Sequence, residues 1–188
     1  GKPSRLVGSA DVLVNLLTCS AHEMRKAPAI VASGAVLVSL TGFMFDPQAR
    51  LIWNRTASAP EGLYWLSDAP FTHGRWVVIS ARSGEAEWAE AKGFVGQDWP
   101  LIKQIAATPG DEVCRHGDLI SVNAKHVATA LSVDHLGREL PAWSGCVVLK
   151  DDDVFLLNPH PRSLDGRYFG PTKREDLDGV AVLLWKTN

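Results

Sequence analysis

The chain lacks most of the features that would place a 188-residue sequence quickly. It has no internal repeat and no low-complexity tract, which excludes solenoids, arrays and a disordered linker. Its formal net charge is only −2, so there is no basic footprint for nucleic acid or an acidic membrane surface. Cysteine is scarce at three, too few for a disulfide-built scaffold. Six histidines are present, but none is spaced as a zinc ligand set: His22, His73, His116, His126 and His135 lie in turn or hairpin contexts, and His160 sits between two prolines. All six read as structural or exposed, and no metal or other cofactor is expected. There is no initiator methionine. Residues 1–26 carry no recognisable function and read as a cytoplasmic N-terminal segment, an upstream extension before Met24-Arg25-Lys26.

One long uncharged stretch is present, the 19 residues from Ala27 to Phe45. A membrane-spanning helix needs about 20 apolar residues, so this one is just long enough. Arg25 and Lys26 precede it and Asp46 follows it, which by the positive-inside rule keeps the N-terminus in the cytoplasm and sends residues 46–188 outward. A buried core helix would show a polar face, which is missing. A cleavable signal peptide is the competing reading. The expectation is a retained signal anchor over 27–45, a single pass of a bacterial inner membrane, and a periplasmic domain from residue 46.

That domain reads as mainly β. Gly and Pro are plentiful and the apolar runs are short and rich in Val, Ile and Leu. Strands are expected at 51–53, 63–66, 76–79, around 101–105, at 112–114, 119–122, 125–128, 146–149, 154–157 and 180–185, the last closing the core. Asn123-Ala124 is a hairpin turn. A single amphipathic helix is expected over Glu85–Lys92, ended by Gly93. With the domain outside the cytoplasm, Cys114 and Cys146 lie where disulfides persist, while Cys19 does not. A bridge would tie down the loop-rich excursion 131–141 and contribute about 3–4 kcal/mol in the loop-entropy account. Two buried free thiols are the alternative.

Three stretches carry chemistry. In Asn54-x-Thr56-x-Ser58-x-Pro60-x-Gly62-Leu63-Tyr64, the fixed φ of Pro60 and its bias on Ala59 hold Ser58 on a stiff extended segment, as suits a nucleophile. In Lys103-x-Ile105-x-Ala107-x-Pro109-Gly110-Asp111, a lysine lies in an apolar β-prone run. In Ser163-x-Asp165-x-Arg167-Tyr168-x-Gly170, a hydroxyl, a carboxylate and a guanidinium alternate, so extended geometry would put all three on one face. Taken singly, these read as a proline-rich loop, a snorkelling lysine and a turn with a local ion pair.

Together and in this order, the three motifs resemble the signal peptidase I clan of Ser/Lys proteases, and most of all its conjugative-transfer branch, the TraF peptidases. The resemblance runs from about Asp46 to the C-terminus. It implies a signal-peptidase or LexA-like β-rich catalytic core, with Ser58 as nucleophile and Lys103 as its base. Lys103 must then be neutral near pH 7, which burial can achieve. Ser163 would hydrogen-bond and orient the amine. Asp165 would support the site by pairing with Arg167, because a carboxylate acting directly on the amine would raise its pKa. The oxyanion donors would be the Ser58 N–H and the Thr56 hydroxyl. The implied substrate is a secreted precursor, a pilin subunit of conjugative transfer, cleaved and in some members cyclised, with other transfer proteins and the inner membrane as partners. A housekeeping signal peptidase I is the nearest rival, although Ala59 stands where methionine would be expected. A LexA-like self-cleaving regulator would need a DNA-binding helix-turn-helix where the apolar segment lies.

Overall fold

A computed structural model of the chain describes residues 50–187. The expected anchor at 27–45 and the N-terminal segment lie outside those residues. Among the described residues no helix is long and apolar enough to cross a membrane.

Among the described residues, eleven strands make two antiparallel sheets. Those of the larger sheet are β1 (Leu51–Asn54), β2 (Gly62–Ser67), β3 (Trp76–Ile79), β4 (Leu101–Ala107), β9 (Asp153–Leu157), β10 (Thr172–Lys173) and β11 (Leu177–Lys186), in the order β1-β2-β11-β3-β4-β9-β10. The smaller sheet holds β5 (Glu112–His116), β6 (Leu119–Val122), β7 (Lys125–Thr129) and β8 (Gly145–Val148), in the order β7-β6-β5-β8. The fold is mainly β, and every strand expected from the sequence is there. Helix α1 (Gly84–Ala91) matches the expected helix within a residue at each end. Ser83 caps it by accepting from the Ala86 N–H at 3.2 Å. Gly93, at φ +71°, lies just past its end in the left-handed region.

Alternation along β4 divides its side chains between two cores. Leu101 and Ile105 pack with Val77, Leu156, Val180 and Ala86 of α1. Ile102, on the other face, packs with Ala59, Tyr64, Leu66 and Val78. The serine loop is therefore held by its own Ala59 against the strand that bears Lys103. A third cluster of Val113, Ile120, Leu149 and Phe155 joins the small sheet to β9.

Three local findings modify the expectations. The run 180–185 does not close the core throughout: Val180 and Ala181 are buried, but Leu184 and Trp185 are 57% and 67% exposed. A β-bulge between Leu183 and Trp185 shifts the register against β2 where the strand leaves the core. Gly62 is required beside this bulge, because a Cβ there would lie 2.0 Å from the Trp185 carbonyl oxygen. The hairpin turn is as expected, but with Ala124 at φ +63°, a conformation that disfavours a Cβ.

The third change concerns 163–167, which does not form an extended face. Asp165 instead caps a single turn of helix, α2 (Gly166–Phe169), by accepting from the Arg167 N–H at 3.2 Å. The cause is local. Aspartate competes well for free N–H groups at a helix start. Gly166 permits a close approach that a Cβ, 2.7 Å from the Leu156 carbonyl oxygen, would prevent.

Candidate active site

The loop after β1 is built on Asn54. Its side-chain amide donates to the carbonyls of Thr56, Ala59 and Pro60, at 3.0, 3.2 and 3.0 Å. Its Oδ1 accepts from the Thr56 N–H at 3.0 Å and the Thr56 hydroxyl at 2.8 Å. Tyr64, fully buried, donates to the Pro60 carbonyl at 2.6 Å, and burial pushes its phenol up to about 12. Ser58 thus sits at the tip of a loop whose backbone is held from inside by two side chains. Its Oγ lies 3.5 Å from the Thr56 Oγ1. The Thr56 hydroxyl is engaged with Asn54, so it does not stand free as an oxyanion donor in this arrangement. The Asn54 role was missed from sequence; the signal was Asn-x-Thr, an Asx-turn spacing in which the side chain bonds the backbone two residues on.

Lys103 is 4% exposed in mid-β4, paired across to Val77 of β3. Burial pushes its amine pKa down; Asp165 and Glu85 oppose that shift and Arg167 adds to it. Nζ lies 3.3 Å from the Ser163 Oγ, the contact that brings the second and third motifs together.

What fixes the lysine's backbone is Asn158, directly after β9. Its Nδ2 donates to the Ile102 carbonyl at 3.1 Å and its Oδ1 accepts from the Gln104 N–H at 3.1 Å. A side-chain amide therefore continues the β4–β9 ladder on both sides of Lys103. The Asn158 N–H in turn donates to Asp165 Oδ2 at 2.9 Å, and its carbonyl accepts from Arg167 Nη2 at 2.6 Å. Arg167 Nη1 also reaches the carbonyls of His160 and Ser163, at 3.1 and 3.2 Å, and lies 3.3 Å from Asp165 Oδ2. Asp165 and Arg167 thus shape the 158–167 loop, and that loop presents Ser163 to Lys103. Burial raises the Asp165 carboxyl, against the pull of Arg167, Lys103 and its two backbone donors. From the small sheet, Arg115 adds a 2.6 Å bond to the Arg167 carbonyl.

Glu85 of α1 is a further charged neighbour that sequence reading did not single out. It accepts from the Thr172 hydroxyl at 2.6 Å, and burial raises its carboxyl. Nothing in its local sequence distinguishes it from the other acids of the helix.

Ser58, Thr56, Lys103 and Ser163 all line one cleft of about 270 Å³. Among the described residues no hydrogen bond joins Ser58 to Lys103 directly. A second groove of about 460 Å³ lies on the other side of Ser58, beside Pro60, Trp76 and His160. His160 makes no bond to Asp165; its Nδ1 accepts from the Arg162 N–H at 3.2 Å, so no Ser-His-Asp arrangement forms.

A disulfide joins Cys114 and Cys146, partners across β5 and β8, so the thiols are not free. His116 Nε2 lies 3.7 Å from Cys146 Sγ. These three side chains are the one metal-like cluster among the described residues, and the disulfide occupies both of its sulfurs.

Relatives can be set beside this geometry. The chain is 30% identical over 174 residues to "Plasmid transfer protein TraF" of Escherichia coli, covering 86% of this chain and 97% of that protein. It is 34% identical over 170 residues to "Conjugal transfer protein TraF" of Agrobacterium tumefaciens (strain 15955), covering 84% and 94%. A signal peptidase I structure from Enterococcus faecalis V583 overlaps 61% of this chain and 98% of its own, at a TM-score of 0.35 and 18% identity. The family model described as "Signal peptidase, peptidase S26" matches residues 23–186, which takes in every residue of the cleft. The chain belongs to the signal peptidase family, peptidase S26, and is similar to the TraF proteins of conjugative transfer.

Proposed function

We propose that the chain is a membrane-anchored serine endopeptidase that uses a Ser58–Lys103 dyad to process a secreted precursor, a pilin subunit of conjugative transfer. The observation that carries the proposal is Lys103: a buried amine, lowered by desolvation, within reach of Ser163 and lining the same cleft as Ser58. A buried lysine with no acid pressed against its nitrogen is costly unless it works neutral.

In the first step Ser58 Oγ bonds to the scissile carbonyl carbon while its proton passes to Lys103 Nζ. The carbonyl oxygen becomes an oxyanion, met by the Ser58 N–H and, after the Thr56 hydroxyl turns from Asn54, by that hydroxyl. The C–N bond then breaks, and Lys103 returns the proton to the leaving amine. Water, or an amine, attacks the Ser58 ester and gives its proton to Lys103; the bond between Ser58 Oγ and the acyl carbon then breaks, releasing the carboxylic acid or the new amide, and Lys103 returns the proton to Ser58 Oγ. Ser163 holds the amine in place; Asp165 and Arg167 hold Ser163.

The TraF relatives support the conjugative setting, and Ala27–Phe45 supports an inner-membrane anchor with the described domain in the periplasm. The test is co-expression with a pilin precursor in a cell that also carries its transfer genes. Ser58-dependent shortening of the precursor is expected, with loss in both Ser58→Ala and Lys103→Arg, since guanidinium does not deprotonate. Unchanged processing in either variant would overturn the dyad. A reporter fused after Asn188 that works only in the cytoplasm would overturn the topology.

A further inference from the structure

The cleft that holds Ser58 and Lys103 is unevenly charged. Arg55 and Arg162 stand on its walls and no aspartate or glutamate does. The rest of its lining is largely apolar, with Trp53, Phe94 and Trp99 the largest pieces. Neither arginine belongs to an ion pair among the described residues, whereas Arg50, Arg138 and Arg167 each have an acidic partner. Arg55 lies over the Trp99 ring, its guanidinium carbon 5.3 Å from the ring centre. The ring face attracts the cation, and a guanidinium held so can still grip a carboxylate with two parallel N–H bonds. Arg162 is held through its backbone at His160 and directly precedes Ser163, the residue that touches Lys103. Arg55 is three positions before Ser58. The two cations therefore flank the reacting serine and lysine along the chain and line the same cleft.

We propose that Arg55 and Arg162 select the substrate: the cleft takes a precursor segment that places an aspartate or glutamate, beside apolar residues, close to the bond that is cut. This rests on the peptidase reading and adds the substrate class to it. Charge complementarity carries the choice of occupant. A segment bearing lysine or arginine would meet two unpaired guanidinium groups, and a purely apolar one would leave both without a partner. Lys103, the remaining basic group of the lining, is the buried base, and working as a neutral amine it offers no charge to pair with a carboxylate.

The experiment uses the full chain in detergent or vesicles and a set of synthetic peptides spanning the cleavage site of a processed precursor. Each acidic position within a few residues of the cut is replaced in turn by its amide. One position is expected where the amide lowers kcat/KM by about fivefold, the size of a partly exposed ion pair, with the effect shrinking as salt is raised. In Arg55→Gln/Arg162→Gln that ratio falls to about one, Arg55→Lys keeps part of it, and Arg55→Glu favours a lysine peptide. In parallel, peptide binding to Ser58→Ala is followed through tryptophan fluorescence, Trp53 and Trp99 being in the cleft. Cleavage without charge preference, or a preference untouched in the double variant, would sink the inference and leave the peptidase intact. Charge-selective binding to Ser58→Ala without cleavage by the unmodified chain would sink the peptidase and leave the cleft's selectivity standing.

Discussion

Replacing Lys103 by methionine tests the buried base through stability, independently of any substrate. The amine is neutral in the folded chain over a pH range in which the unfolded chain keeps it protonated. The cause is burial in mid-β4, opposed but not reversed by Asp165 and Glu85. The folded pKa is lowered, so between it and the unfolded value of about 10.4 the unfolded state binds the extra proton. Unfolding free energy then rises with pH, by up to about 1.4 kcal/mol for each pH unit. Methionine fills similar volume and carries no proton. It loses the Ser163 contact, worth about 1 kcal/mol. The variant should therefore be flat where the native chain slopes, and the more stable of the two towards the acid end of the window. Urea unfolding of both proteins between about pH 7.5 and about pH 9 measures this above the imidazole range and below tyrosine ionisation. Within that window the carboxyl groups do not titrate, and Tyr64, pushed up to about 12, stays protonated in the fold. Parallel slopes for the two proteins would show that Lys103 is charged when folded, and the neutral-base mechanism would fall with it.

Processing activity should climb with pH through the lowered Lys103 pKa and then level off, and a pH–rate series on a cleaved peptide checks this. Ser163→Ala should cut kcat by about a hundredfold while costing only about 1 kcal/mol of unfolding free energy, since it frees the amine from its one hydroxyl partner without opening the loop. Asp165→Asn should behave oppositely to Lys103→Met: it leaves Arg167 buried against an uncharged partner and should cost about 3–5 kcal/mol by urea denaturation. Ala124→Gly relieves the left-handed turn and should stabilise by about 1 kcal/mol in the same assay.

Much of this was legible in the sequence because it rests on short-range chemistry. Strand positions followed short Val, Ile and Leu runs and α1 followed its amphipathic pattern and Gly93, whereas Ser58 lies in a turn held by the Asn54 side chain and not on an extended segment stiffened by Pro60. The resemblance to the Ser/Lys proteases implied a contact between Lys103 and Ser163, and they lie 3.3 Å apart. What periodicity could not carry was competition for backbone groups. A two-residue alternation suggested an extended 163–167, yet a carboxylate beside free N–H groups capped a helix turn instead. The role of Asn158 was invisible for the same reason: its partners are peptide groups 54 and 56 residues away, and no side-chain pattern marks them. The outer half of β11 was misjudged because an apolar run does not say which of its residues has a sheet behind it.

The contacts that make the lysine's surroundings all close long loops. Lys103 reaches Ser163 across 60 residues, Asn158 reaches Ile102 across 56, and Arg115 reaches Arg167 across 52. Such pairings form late, because chain entropy opposes them until neighbouring strands have condensed. A chain still emerging, or stalled partway, has the serine loop early and the orienting hydroxyl only near the end. Before β9 and the 158–167 loop dock, Lys103 lies on an uncovered strand, wet and protonated. Under the proposed dyad this ordering would act as a timer: the amine would lose its proton late in folding, and a half-made molecule would carry no working base with which to cut its neighbours or itself.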